Sequence, residues 1–184
     1  MRFESFDIDG LRLVTPRRHG DDRGWFSEVF REDLFRAEVG DVHFVQHNQS
    51  FSAPKGTVRG LHFQIPPKAQ GKLVRCPRGR ILDVAVDLRA ASPTFGRHAA
   101  VELSAENGRQ LWVPVGFAHG FCTLEPDCEV AYLVSEYYSP EHDRGLSWSD
   151  PALAIDWPVT EDAAILSPKD RGLPGLAELG PVFP

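Results

Sequence analysis

The stretch Arg80-Ile-Leu-Asp-Val-Ala-Val-Asp-Leu88 decides the fold class. Successive side chains of an extended chain point to opposite faces. Leu82, Val84, Val86 and Leu88 then share one face, and Ile81, Asp83, Ala85 and Asp87 share the other. The segment reads as a strand, and the reading spreads outward from it. Period-two alternation, or a short apolar run bounded by Gly, Pro, Asn or Asp, recurs at Leu11–Thr15, Gly24–Phe30, His43–Ser50, Val58–Gln64, Lys72–Cys76, Ala99–Leu103, Gln110–Val113, His119–Leu124 and Cys128–Tyr137. Turn signals separate them, as at Pro77-Arg78-Gly79, Ala105-Glu106-Asn107-Gly108 and Glu125-Pro126-Asp127. Helix signals are few. Arg31–Val39 carries Leu34 and Phe35 as apolar positions and Gly40 as its stop, while Asp150–Leu153 and Glu161–Ala164 each suit a single turn. Many short strands at even spacing predict a mainly β sandwich or barrel.

The chain has 184 residues, which predicts one domain over 1–184. Its 16 Gly and 15 Pro favour short elements joined by turns over a helix bundle. The tail from Ser167 is rich in both and is expected to wrap the surface. A net charge of −6 argues against nucleic-acid binding, which needs a basic face. It leaves room for a small anion held by a local cluster of cations. No apolar run approaches the roughly 18 residues of a membrane helix. The opening MRFESFDIDG carries acids where a signal peptide carries an apolar core, so a cytoplasmic location is expected. Cys76, Cys122 and Cys128 form no CxxC pair and are read as reduced, buried side chains. Only Lys55, Lys68, Lys72 and Lys169 are lysine, so a Lys inside a motif is informative.

Pro114-Val-Gly-Phe-Ala-His119 has the form P-x-G-x-x-H. It resembles the second motif of cupins, double-stranded β-helix or jelly-roll barrels. In metal-binding cupins that His is a ligand, joined by an upstream H-x-H and a Glu. Here the upstream candidate is Gly60-Leu-His62-Phe-Gln64, with Gln in place of the second His and Lys72 after it in place of Glu. Gln and Lys are poor transition-metal ligands. The expectation is therefore a cupin-like barrel with a few short helices and no metal.

His62, Lys72, His119 and Tyr132 are then the polar groups inside the barrel. Tyr132 is in phase with Val130 and Val134, so it points inward, and its hydroxyl needs a polar partner or a ligand. His as base, Tyr as weak acid and Lys as a charge for a developing oxyanion make up an acid–base site. Taken singly, each residue also fits a packing role, since a strand His is more often bonded to a backbone carbonyl. Longer motifs decide between the two. Asp21-Asp-Arg-Gly-Trp-Phe26, Val58-Arg-Gly-Leu-His-Phe-Gln64, Gln70-Gly-Lys-Leu-Val-Arg75, Asp83-Val-Ala-Val-Asp-Leu-Arg89 with Ser92-Pro-Thr-Phe-Gly96, Trp112-Val-Pro-Val-Gly-Phe-Ala-His-Gly-Phe121 and Leu166-Ser-Pro-Lys-Asp170 occur in one order. Together, from residue 3 to residue 172, they resemble the dTDP-4-dehydrorhamnose 3,5-epimerase family.

That resemblance implies a 4-keto-6-deoxyhexose on a thymidine diphosphate as substrate, and neither metal nor redox cofactor. It implies His62 as the base, Asp170 as the carboxylate that orients it, Tyr132 as the acid on the other face, and Lys72 as the cation at the enolate oxygen. Arg59 assists there and at the phosphates, and His119 faces the substrate. Arg23, Phe26 and Glu28 match nucleotide-holding residues delivered by exchanged N-terminal strands of a homodimer. Gln46, His47 and Asn48 match another part of that pocket, Tyr138 an aromatic beside the nucleotide, and Asp143 and Lys169 polar residues near the mouth.

Strict alternation places Arg59 and His62 on opposite faces, so an irregularity is expected at Gly60. The loop Ser52–Thr57 looks longer than the family pattern, and His47 stands where an acid is familiar. Three rival readings share parts of this set: a related epimerase that inverts only C3 or only C5, a nucleotide-sugar-binding cupin without turnover, and a metal-dependent cupin enzyme. Gln64 and the missing Glu speak against the last.

Overall fold

The computed structural model describes residues 1–183. In chain order the elements are β1 (Arg2–Ser5), β2 (Arg12–Thr15), β3 (Arg18–Asp21), β4 (Gly24–Ser27), α1 (Glu32–Val39), β5 (Gln46–Ser52), β6 (Val58–Gln64), β7 (Lys72–Arg78), β8 (Arg80–Asp87), β9 (His98–Ser104), β10 (Gln110–Val113), β11 (Phe117–Thr123), β12 (Cys128–Val134) and β13 (Asp143–Gly145). A 3₁₀ turn (Pro151–Leu153) and the short helices α2 (Pro168–Arg171) and α3 (Leu176–Leu179) follow. Every expected strand is present. The expectation missed β1, β3, β13 and the two tail helices, all of them only three or four residues long, below the length at which periodicity speaks.

Two antiparallel sheets face each other, in the orders β1-β2-β10-β7-β12-β5 and β13-β6-β11-β8-β9. They are not hydrogen-bonded into a closed barrel. The cupin-like jelly roll is realised as a two-sheet sandwich. β3 and β4 pair only with each other.

The two faces of β8 explain the layering. Ile81 and Ala85 join Val74, Cys76, Leu111, Phe117, Phe121 and Val130 in the core between the sheets. Val84, Val86 and Leu88 point to the other side, where Leu61, Phe63, Leu146, Leu153 and Phe183 cover them. The strand is thus buried on both faces. The tail contributes to that outer layer: Phe183 is buried, and the Ala90 N–H donates to its carbonyl at 2.8 Å.

Helix α1 covers the outer face of the larger sheet. Glu32 and Asp33 occupy its first turn, favourable beside the positive end of the helix. Gly40 ends it at φ 109°, a conformation that suits glycine. Its Phe35 is fully buried among Phe3, Phe30, Phe44 and Trp112, with ring centroids 5.3–6.4 Å away. Phe30 and Phe44 belong to this cluster, which is why β4 ends before Phe30 and β5 begins after Phe44. The three cysteines are free and buried. Burial pushes the Cys76 thiol up to about 12 and that of Cys122 to about 11, so both are unreactive. Among the described residues no helix is long and apolar enough to cross a membrane.

Candidate active site

The site is built from the strands that flank β8. β11 pairs with β6 so that His119 lies opposite His62 and Phe121 opposite Arg59. β6 therefore holds one more residue than β11 over this stretch, which is the expected irregularity. Gly60 sits inside it at φ +131°. A Cβ there would meet the Gly120 Cα at 2.6 Å, so the two backbones touch where both residues lack side chains. With the extra residue taken up, Arg59 and His62 line the same cavity.

That cavity, of about 520 Å³, opens between the sheets. The five-stranded sheet contributes Arg59, His62, His119 and Phe121; the six-stranded sheet contributes Lys72 and Tyr132; the tail contributes Lys169 and Asp170. A second cavity of about 350 Å³ shares His62, Lys72, Tyr132 and Lys169 and continues toward Gln46, Asn48, Tyr138 and Asp143. His62 and Tyr132 thus face one space from opposite sheets.

The tail folds back as the pairing of His62 with Asp170 requires. Ser167 caps α2 by accepting from the Asp170 N–H at 3.1 Å, and Pro168 follows it. This turn sets the buried Asp170 carboxylate 2.6 Å from His62 Nε2. Burial works against the Asp170 charge, but bonds from His62, Ser167 and the Gly60 N–H outweigh it and hold the carboxyl below its usual range. Lys72 is buried on β7 and donates to the His62 carbonyl at 3.2 Å. Burial lowers it to about 8, with Asp143 and Asp83 opposing the fall and Lys169 adding to it. Burial raises the Tyr132 phenol, with Arg59 opposing. At neutral pH Tyr132 therefore keeps its proton and Lys72 is largely cationic.

Gln64 shows what stands where a metal-binding cupin has a ligand. Its amide donates to the Lys68 carbonyl at 2.5 Å and the Tyr137 carbonyl at 3.2 Å, and accepts from the Ser139 N–H at 2.8 Å. It ties two loops together. Among the described residues no group of three or more His, Cys, Asp and Glu side chains is gathered for a metal.

The expected binding residues divide. Gln46 and Asn48 lie side by side, bonded at 2.8 Å, in the second cavity. Tyr138 donates to Asp143 at 3.2 Å, and Lys169 also pairs with Asp143. Arg59 donates to Ser52 Oγ at 3.1 Å and to the Phe51 carbonyl at 3.0 Å. His47 departs from the expectation. Alternation along β5 turns it to the other face, into a separate hollow with Val29 and Phe30. Arg23, Phe26 and Glu28 also stay outside the cavity within one chain. They lie on or just after the β3–β4 hairpin and are exposed, and Arg23 is paired with Asp21 at 2.6 Å. Asp83 was not anticipated as part of the site. It is fully buried and bonded to His119 Nε2 at 2.9 Å. Its phase with Ile81 and Ala85 puts it on the inner face of β8, but phase alone does not mark an acid as part of a site.

Comparison with known proteins adds three findings. The profile of the family described as dTDP-4-dehydrorhamnose 3,5-epimerase matches residues 5–178. A dTDP-4-dehydrorhamnose 3,5-epimerase of Sinorhizobium fredii is 58% identical over 179 residues, 97% of this chain and 91% of that protein. Two solved structures superpose closely. One is the dTDP-6-deoxy-D-glucose-3,5-epimerase of Legionella pneumophila in complex with dTDP-4-keto-L-rhamnose (TM-score 0.92, 44% identity, 97% of this chain and 94% of that one). The other is the dTDP-4-dehydrorhamnose 3,5-epimerase of Bacillus anthracis with TDP and PPi bound (TM-score 0.90, 51% identity, 95% of this chain and 100% of that one).

Proposed function

This chain belongs to the dTDP-4-dehydrorhamnose 3,5-epimerase family, and from that membership we propose how its residues invert C3 and C5 of dTDP-4-dehydro-6-deoxy-D-glucose to give dTDP-4-dehydro-L-rhamnose. The observation that carries the mechanism is the placement of His62 and Tyr132 on opposite sheets around one cavity. A C4 ketone acidifies the C–H bonds at C3 and C5. His62 removes a proton from one face of the sugar, and the electron pair moves onto O4 as an enolate. Asp170 holds the imidazole by Nε2 and stabilises the imidazolium that forms. Lys72 supplies positive charge to O4, with Arg59 lining the same cavity. Tyr132 returns a proton to the opposite face, and the centre is inverted. Every atom and charge is accounted for by these side chains and solvent.

Gln46, Asn48, Arg59, Tyr138, Asp143 and Lys169 form the wall along which the nucleoside diphosphate enters. Arg23, Phe26 and Glu28 complete it from a second copy of the chain, making the functional unit a homodimer of single-domain subunits. The β3–β4 hairpin supports this reading. Among the described residues it pairs with no other strand, and it leaves Trp25 58% and Phe26 67% exposed. Apolar surface of that kind marks an interface. His47 lies beside Val29, at the root of the hairpin, so its part in binding also depends on the second chain.

Incubation with dTDP-4-dehydro-6-deoxy-D-glucose, followed by NMR of the sugar, tests the proposal. We expect L-rhamno configuration from the native protein and unchanged substrate from His62→Ala. Inversion of one centre alone by the native protein selects the single-epimerase reading.

A further inference from the structure

Asp83 and Asp87 lie on the same face of β8 and both are fully buried, but they differ in how their charge is met. Asp87 accepts from Arg89 at 2.7 and 2.8 Å, from Ser92 at 2.6 Å and from Thr94 at 2.7 Å. It braces the corner after β8. Asp83 has a single partner. Its Oδ1 accepts from His119 Nε2 at 2.9 Å, and its Oδ2 is buried without a hydrogen bond among the described residues. A buried carboxylate half satisfied by the fold costs stability. Its one bond goes to a side chain that lines the cavity.

Resting on the function proposed above, we propose that Asp83 is a positioning residue that fixes which nitrogen His119 turns toward the sugar. A carboxylate can only accept, so the nitrogen facing it must carry the hydrogen. Nε2–H is committed to Asp83, and Nδ1, which has no hydrogen-bond partner among the described residues, is the atom offered to the substrate. His119 lies directly across the strand pair from His62. The site therefore carries two imidazoles side by side, each held through Nε2 by its own carboxylate. Asp170 backs the ring that moves the proton, and Asp83 backs the ring that holds the sugar beside it. A fixed tautomer matters because a bare Nδ1 can only accept, so it selects a sugar hydroxyl that donates to it, a contact the other tautomer would lose.

Asp83→Asn tests this with little change of volume. An amide can donate as well as accept, so the constraint on Nε2 is lost. ¹⁵N NMR of the ligand-free native protein should show His119 protonated at Nε2 with Nδ1 bare. In Asp83→Asn the Nδ1–H form should appear, kcat should fall roughly 10–100-fold, and the thermal unfolding curve should remain cooperative. Native His119 protonated at Nδ1 would overturn the assignment. So would an Asp83→Asn protein with the native tautomer, whatever its rate, or with the changed tautomer and native kcat. The spectra need no substrate. A native protein without turnover therefore sinks the function proposed above and leaves the tautomer result to decide the role of Asp83.

Discussion

Lys72 concentrates the chemistry and its cost in one residue. Burial, with a smaller push from Lys169, carries its pKa down to about 8 against two helpful carboxylates. Its positive charge is present below that value and lost as pH rises through it. We expect kcat/KM to fall above about pH 8, and the fall to be absent in Lys72→Met, whose kcat should drop roughly 10²–10³-fold. Stability runs the other way. A Lys whose folded pKa lies below its unfolded one makes the unfolded chain bind more protons between the two values, so stability rises with pH there. Lys72→Met should therefore raise stability by on the order of 1 kcal/mol while lowering activity, measured by urea unfolding at pH 7. Tyr132→Phe separates the two halves of the reaction: exchange of the C–H proton with solvent should persist in part, while inversion falls. Full epimerase activity in that variant would remove Tyr132 from the role of acid. Lys72 was legible because it belongs to a motif with a fixed neighbourhood, and Tyr132 because it is in strand phase with Val130 and Val134. Asp83 was not, because an acid within an apolar alternation has no local mark. Its partner, His119, lies 36 positions away.

At the scale of elements, the register of β6 against β11 decides whether a site exists. Gly60→Ala would place a methyl group 2.6 Å from the Gly120 Cα at φ +131°, a conformation L side chains avoid. We expect a loss of roughly 1–3 kcal/mol and a larger loss of activity, since Arg59 and His62 would no longer share a cavity. Circular dichroism and thermal unfolding beside kcat report the two effects. The cap of α2 acts similarly from the other side. Ser167→Ala should cost about 1 kcal/mol and lower kcat, because the same turn sets Asp170 against His62. The need for a bulge was visible in the sequence, since Arg59 and His62 are three apart and must meet. The short strands and the tail helices were not. β13 is held by a partner distant in sequence, β6, while β1 and β3 pair with the strands that follow them, and none is long enough to carry a periodicity of its own.

The whole molecule reconciles a net charge of −6 with an anionic substrate. Lys72, Arg59 and Lys169 converge on one cavity, and a partner's hairpin would bring Arg23 to it. If the hairpins are exchanged, His62→Ala and Arg23→Ala subunits complement each other. A mixed dimer then contains one site with both residues intact. Mixing the two variants should restore activity that neither has alone, and its absence would contradict the exchange. The most direct measurement of the central claim is incubation with dTDP-4-dehydro-6-deoxy-D-glucose in D₂O, followed by NMR of the sugar. A shared enolate mechanism in one cavity predicts deuterium at both C3 and C5 with the native protein and at neither with His62→Ala. Native inversion without deuterium at either carbon, or undiminished incorporation in His62→Ala, would contradict it.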